Sequence, residues 1–344
     1  MNEGKDNVQP AISDEQVELS RKRVLSTMAF MAICLIIVIG AMYVAYRRTR
    51  NHAKTAFQKI SIASLQAPGN TLHPVIYKDG SFVAFVNEEN EQQSLWVKKV
   101  FEPIATQIVP PASVSYVGVT FSIDGKFVFY VAKSKGEREN KLYRIPSAGG
   151  KPEELLTGVD SPISFSPNGQ YFAFVRNHPV QSETSLIIKK LDGAEEMKLI
   201  ARKQPEALSL LGPAWSPDGR IIACAVVTSD SEATMMRVLA VNPDDSSAQP
   251  IGDQKWADVK QLAWLDDGSG LIVSARQPNQ DVADDVHQLY LLAYPKGEIR
   301  RVTNDRFNYE CVSVTADSGV LASLKSEPGK SIKEVVLINS VNAE

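Results

Sequence analysis

One short turn returns six times along this chain, and a turn repeated at a nearly constant period restricts the fold more than any composition can. The clearest copies are "ISFSPNGQYFAFVR" (163–176), "PAWSPDGRIIACAVV" (213–227) and "VTFSIDGKFVFYVAK" (119–133). Weaker copies are "VIYKDGSFVAFVN" (75–87), "LAWLDDGSGLIVSAR" (262–276) and "VSVTADSGVLASLK" (312–325). Each reads as a β-hairpin. An aromatic and β-branched run, suited to a strand, follows a break in which Asp or Asn tolerates left-handed backbone and Gly takes positive φ at no steric cost. The turn residues Gly80, Gly125, Gly169, Gly219, Gly268 and Ser318 stand 45, 44, 50, 49 and 50 residues apart.

Each hairpin is followed by a further extended run, such as "SLWVKKV" (94–100), "SLIIKKL" (185–191) or "QLYLLAY" (288–294), and then by a short fourth one, such as "EELLT" or "IRRVT". Four antiparallel strands per repeat is the unit of a propeller blade. The last repeat lacks its fourth strand. The segment "KISIASLQ" (59–66) supplies it, because a propeller must close its ring to remove its sheet edges. The expected fold is therefore all-β: a six-bladed β-propeller of four-stranded antiparallel blades over 59–344. In this reading the pairs Asp124 and Gly125, Asn168 and Gly169, Asp218 and Gly219, and Asp267 and Gly268 are blade turns, structural rather than catalytic.

The motifs "FSPNGQYFAF" and "WSPDGRIIAC" resemble the repeat of TolB-type propellers, the WD-like bacterial family. The stretch from Gln93 to Arg176 is similar to something narrower, the extracytoplasmic propeller of membrane-anchored bacterial serine/threonine kinases and transcriptional regulators. The resemblance covers roughly residues 55–344. The chain departs from the repeat at Lys78, Ile123, Leu265 and Ala316, where Pro is usual.

Residues 24–46, "VLSTMAFMAICLIIVIGAMYVAY", carry no charge over 23 positions, enough to span ~30 Å of hydrocarbon as one transmembrane α-helix preceding the propeller. A short polar tail (1–23) comes before it and a basic juxtamembrane linker (47–58) after it. The core is longer than the ~7 to 15 residues of a signal peptide. The flanking cations, counted alone, place the C-terminal side in the cytoplasm. The resemblance implies the reverse: a single-pass protein of the inner membrane with its propeller outside, in the periplasm. Large domains translocate despite their charges, and the second orientation is the one expected.

The whole chain carries −3. With −1 over 1–23 and +5 over 47–59, the remainder carries −7. An acidic propeller is a poor partner for nucleic acid. Cys224 and Cys311 read as buried small apolar residues rather than a disulfide. His52, His73, His178 and His287 show no metal-ligand spacing, and the acidic runs 242–247 and 278–287 do not follow the EF-hand pattern, so no metal and no cofactor is expected. No G-x-S-x-G, phosphate loop or kinase signature occurs. The expected function is a non-enzymatic scaffold or sensor that binds a protein or envelope ligand. Tyr116, Trp256, Phe307 and Tyr309, in the loops entering the inner strands, are the candidate partner-binding rim. Burial beneath a neighbouring blade is the alternative for each. Trp215, Trp264 and Trp96 read as core. Two alternatives to the function stand beside it: the receptor half of a split signalling system acting through a separate kinase or regulator, and a hydrolase or lyase built around the propeller channel.

Overall fold

The computed structural model describes residues 31, 34–42, 56–67, 69–229, 234–278 and 286–341. The chain divides into two units, Met1–Asn51 and His52–Glu344. In the first, residues 34–42 are helical and exposed. The tail 1–23, most of the expected span 24–46 and residues 47–55 of the expected linker lie outside the described residues. Among the described residues no helix is long and apolar enough to cross a membrane.

The second unit is six antiparallel sheets. Blade 1 is Asn70–Ile76, Phe82–Glu89, Gln92–Lys99 and Ala105–Ala112. Blade 2 is Val114–Phe121, Phe127–Ser134, Lys141–Pro146 and Glu153–Thr157. Blade 3 is Ser164–Phe165, Tyr171–His178, Glu183–Lys190 and Glu196–Lys203. Blade 4 has an inner strand in two pieces, Glu206–Leu208 and Ala214–Trp215, then Ile222–Ser229, Thr234–Val241 and Ala248–Pro250. Blade 5 is Asp258–Trp264, Gly270–Arg276, Gln288–Ala293 and Ile299–Arg301. Blade 6 is Asn308–Val314, Val320–Ser326 and Glu334–Ser340, completed by Ile60–Leu65 from the start of the unit. That closing strand runs antiparallel to the last one, from Ile60 opposite Ser340 to Leu65 opposite Val335. The sheet edge at the end of the ring is thereby paired, as the sequence predicts.

All six turns use the same device. The Asp or Asn side chain accepts the backbone N–H two residues on: Asp79 from Ser81 (2.8 Å), Asp124 from Lys126 (3.1 Å), Asn168 from Gln170 (3.0 Å), Asp218 from Arg220 (3.1 Å), Asp267 from Ser269 (2.9 Å) and Asp317 from Gly319 (2.9 Å). The next residue is left-handed in every copy, including Ser318 at φ 52°. One assignment changes. The Leu265 N–H bonds the Gly270 carbonyl (2.9 Å) as the Ser216 N–H bonds that of Ile221 (2.7 Å). Leu265 therefore stands in the Ser place and is fully buried, and Asp266 stands where Pro is usual.

The propeller also starts earlier than expected. Ala56 and Phe57, assigned to the linker 47–58, are buried against Leu289, Val302, Tyr309 and Val336 between blades 5 and 6. The Phe57 N–H donates to Ser340 Oγ (3.0 Å), and the Arg300 guanidinium donates to the carbonyls of Phe57 (3.0 Å) and Ala56. Apolar side chains from facing blades fill the rest of the core. Phe172, Phe174 and Leu186 of blade 3, for example, are all but inaccessible.

Candidate functional site

The six inner strands surround a central channel, and their irregularities shape it. In four blades the inner strand bulges: between Leu72 and Val75, Tyr116 and Gly118, Val259 and Gln261, and Glu310 and Ser313. A bulge bends the strand and re-aims a side chain. Here it sends His73, Val117, Lys260 and Cys311 to the channel. His73 (φ 48°) and Cys311 (φ 62°) pay for this with left-handed backbone. In blades 3 and 4 the inner strand is cut short instead. Pro162 and Pro213 have no N–H for a ladder. The Val175 N–H turns to Ser161 Oγ (2.8 Å), and the Ala225 carbonyl accepts from the Ser209 N–H (2.8 Å).

Two adjoining chambers result. The one at the turn end, about 340 Å³, takes one residue from each turn: Lys78, Ile123, Pro167, Pro217, Asp266 and Ala316. These are the positions where Pro is usual, so the departures from the repeat gather in one ring at the channel mouth. The other, about 230 Å³, is lined by Val117, Pro162 and Leu211 on one side and by His73, Lys260 and Glu310 on the other. In the second chamber blades 2, 3 and 4 present apolar and proline side chains, and blades 5, 6 and 1 present ionisable ones. At the turn end blades 5 and 1 again present charge, Asp266 and Lys78, while blade 6 presents Ala316.

Lys260 and Glu310, in the ionisable arc, each have a charged partner. Lys260 Nζ lies 2.9 Å from Asp258 Oδ2, and His287 Nε2 lies 2.9 Å from the same oxygen. The His287 contact, with Lys260 behind it, holds the Asp258 carboxyl well below the usual range against the opposing effect of burial. Lys333 pairs with Glu310. Gln261 Oε1 accepts the Val312 N–H (2.9 Å) across to blade 6. Burial lowers the His73 pKa from 6.5 to about 4, and a hydrogen bond to the Tyr116 backbone opposes it. Burial pushes the Cys311 thiol up to about 12. Cys224 and Cys311 are free thiols. Among the described residues no group of His, Cys, Asp and Glu gathers as metal ligands. In the run 242–247, Asn242 and Asp245 cap their own loop by accepting the N–H groups of Asp244 and Ser247 (both 2.8 Å). Part of the run 278–287 lies outside the described residues.

The expected rim does not form one surface. Trp256 is fully buried, its ring 5.0 Å from that of Tyr290 and its backbone bridged to Met236. Tyr309 is fully buried and donates its hydroxyl to Asp305 (2.7 Å). Tyr116 is buried against Tyr130, ring centroids 5.2 Å apart. Tyr116 and Tyr309 stand within the inner strands themselves and Trp256 just before one, and each ring fills the gap between neighbouring blades, where it is lost to a partner. Phe307 alone is half-buried, with Lys325 Nζ 3.8 Å above its ring. Trp264 is buried and donates to the Ala214 carbonyl (3.0 Å), while Trp215 and Trp96 are half-buried. His73, Val117, Pro162, Leu211, Lys260 and Cys311 recur seven or eight residues before each turn residue. That offset is the signal by which the channel lining is findable in the sequence.

No family model matches the sequence, and no curated protein matches it. Solved structures do resemble it. A TolB protein of Agrobacterium tumefaciens superposes with a TM-score of 0.55 at 18% identity, over 71% of this chain and 87% of that one. TolB from Acinetobacter baumannii gives 0.54 at 12%, over 80% and 65%. The oligogalacturonate lyase of Vibrio parahaemolyticus gives 0.55 at 11%, over 82% and 94%. The protein thus has the TolB-type six-bladed propeller fold. At these identities the likeness is one of fold, which binding proteins and enzymes share.

Proposed function

We propose that this chain is a binding module rather than an enzyme: a single-pass, membrane-anchored propeller that holds a protein or envelope ligand at its channel, outside the cytoplasm. One observation carries the reading. Two of the charges facing the channel are tied in pairs, Lys260 with Asp258 and Glu310 with Lys333, and burial lowers the pKa of His73 beside them to about 4. A general acid or base works best with a pKa near the operating pH. Here Asp258 is held far below its usual range and the Cys311 thiol far above. Fixed, paired charge beside an apolar wall is suited to recognition. The TolB-type fold supports the same reading, and the uncharged run 24–46 supports the anchor.

A photo-crosslinking residue placed at Leu211, at the channel, or at Met197, on the outer flank of blade 3, tests this in intact membranes. A discrete adduct from position 211 and none from 197 is the expected result. Equal labelling at both sites refutes channel binding, and depolymerisation of a polysaccharide by the purified chain would establish an enzyme. Reporter fusions before Met1 and after Glu344 test the anchor. A C-terminal reporter active only in the cytoplasm would reverse the orientation.

A further inference from the structure

The 230 Å³ chamber is large enough for a ligand of some size, since a dry cavity of roughly 150 Å³ holds benzene. Its two walls are chemically opposite. Val117, Pro162 and Leu211 offer no polar side chain. Facing them, Lys260 and Glu310 supply one positive and one negative charge from adjacent blades, linked by the Gln261 bond to Val312. Neither charge is saturated by its partner. An ammonium has three donors, and Asp258 takes one from Lys260. A carboxylate has about four acceptor sites, and Lys333 uses one on Glu310. Both side chains remain partly open to the chamber, Lys260 at 35% and Glu310 at 25% exposure. The Gln261 amide keeps its nitrogen to donate, because its oxygen is the atom engaged by Val312.

We infer that this chamber is a binding site for a small zwitterion with an apolar body, the chemistry of a free α-amino acid with a leucine- or phenylalanine-sized side chain. Lys260 Nζ and the Gln261 amide take the α-carboxylate. Glu310 takes the α-ammonium. The side chain lies on Val117, Pro162 and Leu211. The inference names a small ligand for part of the channel where the proposed function places a partner, yet it does not rest on that reading. Leucine binding is read on the purified chain with no partner present, and crosslinking in membranes reports the partner separately.

Calorimetric titration of the full chain in detergent, with L-leucine as the probe, tests it. Saturable binding at millimolar concentration or tighter is expected. Three analogues each remove one element of recognition: 4-methylpentanoate lacks the ammonium, 3-methylbutylamine lacks the carboxylate, and glycine lacks the apolar body. Each is expected to bind at least about tenfold more weakly, the factor that corresponds to losing one charge-assisted hydrogen bond or, for glycine, the burial of about two methylene groups. Lys260→Met is expected to weaken both leucine and 4-methylpentanoate. Glu310→Gln is expected to weaken leucine and leave 4-methylpentanoate unchanged. Thermal unfolding reports whether each variant is folded, and the analogue series on the unaltered chain decides the matter without them. No saturation by leucine up to about 10 mM, or analogues within threefold of leucine, overturns the inference.

Discussion

Blades 3 and 4 and blades 5, 6 and 1 are built from one repeat, yet they face the channel with opposite chemistry. Blades 3 and 4 keep Pro at the second turn position (Pro167, Pro217) and break their inner strands at Pro162 and Pro213. Blades 5, 6 and 1 carry Asp266, Ala316 and Lys78 in that turn position and run an inner strand of seven residues through a bulge. Blade 2 has the bulge of the second group and the apolar side chains of the first, Val117 and Ile123. The turns survive either way because their geometry rests elsewhere. The Asx side chain and the left-handed residue are present in all six. A net hydrogen bond contributes about 1 kcal/mol, comparable to the ~0.4–1 kcal/mol that Pro gains by restricting the unfolded chain. Turn stability and channel chemistry are therefore separable, and the channel-facing position is free to vary.

The largest test asks whether the two halves share one core. Phe57 at the ring closure and Phe174 in blade 3 are both buried. Phe57→Ala and Phe174→Ala should each cost about 3–5 kcal/mol in urea unfolding. A loss under about 1 kcal/mol for Phe57→Ala would mean that strand pairing alone closes the ring.

The next test is confined to the ionisable half. The His73 pKa is lowered to about 4, so the unfolded chain binds the extra proton first. Its contribution is complete above pH 6.5 and is lost as the pH falls towards 4, by up to ~3 kcal/mol at about 1.4 kcal/mol per unit. Lys333 deepens the shift and Glu310 opposes it. His73→Asn keeps a residue that tolerates left-handed backbone and should flatten this segment of the stability–pH curve. An unchanged slope would refute the His73 assignment, because Asp258, with its carboxyl held below the usual range, changes stability only below about pH 4.

Gly118, in blade 2, tests the apolar half. A Cβ there would stand 2.5 Å from Pro162 Cγ, with the Pro162 backbone at 2.9 Å. Gly118→Ala should cost about 1–3 kcal/mol by forcing blades 2 and 3 apart. A neutral result would show that the channel wall yields.

The smallest effect sharpens the contrast between turns. Asp317→Ala removes the cap from a turn without Pro and should cost about 1 kcal/mol. Asp218→Ala, where Pro217 still restricts the chain, should cost less. Equal losses would show that Pro adds nothing once the side-chain cap is in place.

The blade count, the turns and the closing strand were readable from residue order, because they depend on local rules. Period, turn chemistry and β-branched runs act within a few residues, and a missing fourth strand can be counted. The first residues of the propeller were misassigned because Ala56 and Phe57 sit in a basic stretch, and only packing against blades 5 and 6 reveals their burial. Tyr116, Trp256 and Tyr309 take the buried alternative for the same reason. A Trp or Tyr in a loop looks alike to the sequence whether it meets solvent or a neighbouring blade, and the spacing of the blades decides. His73, Lys260 and Glu310 become one wall of one chamber only when the ring closes. Local backbone preference specified the repeating unit. What the repeats jointly enclose was settled by closure, because His73 of the first blade meets Lys260 and Glu310 of the last two only when the ends of the ring come together.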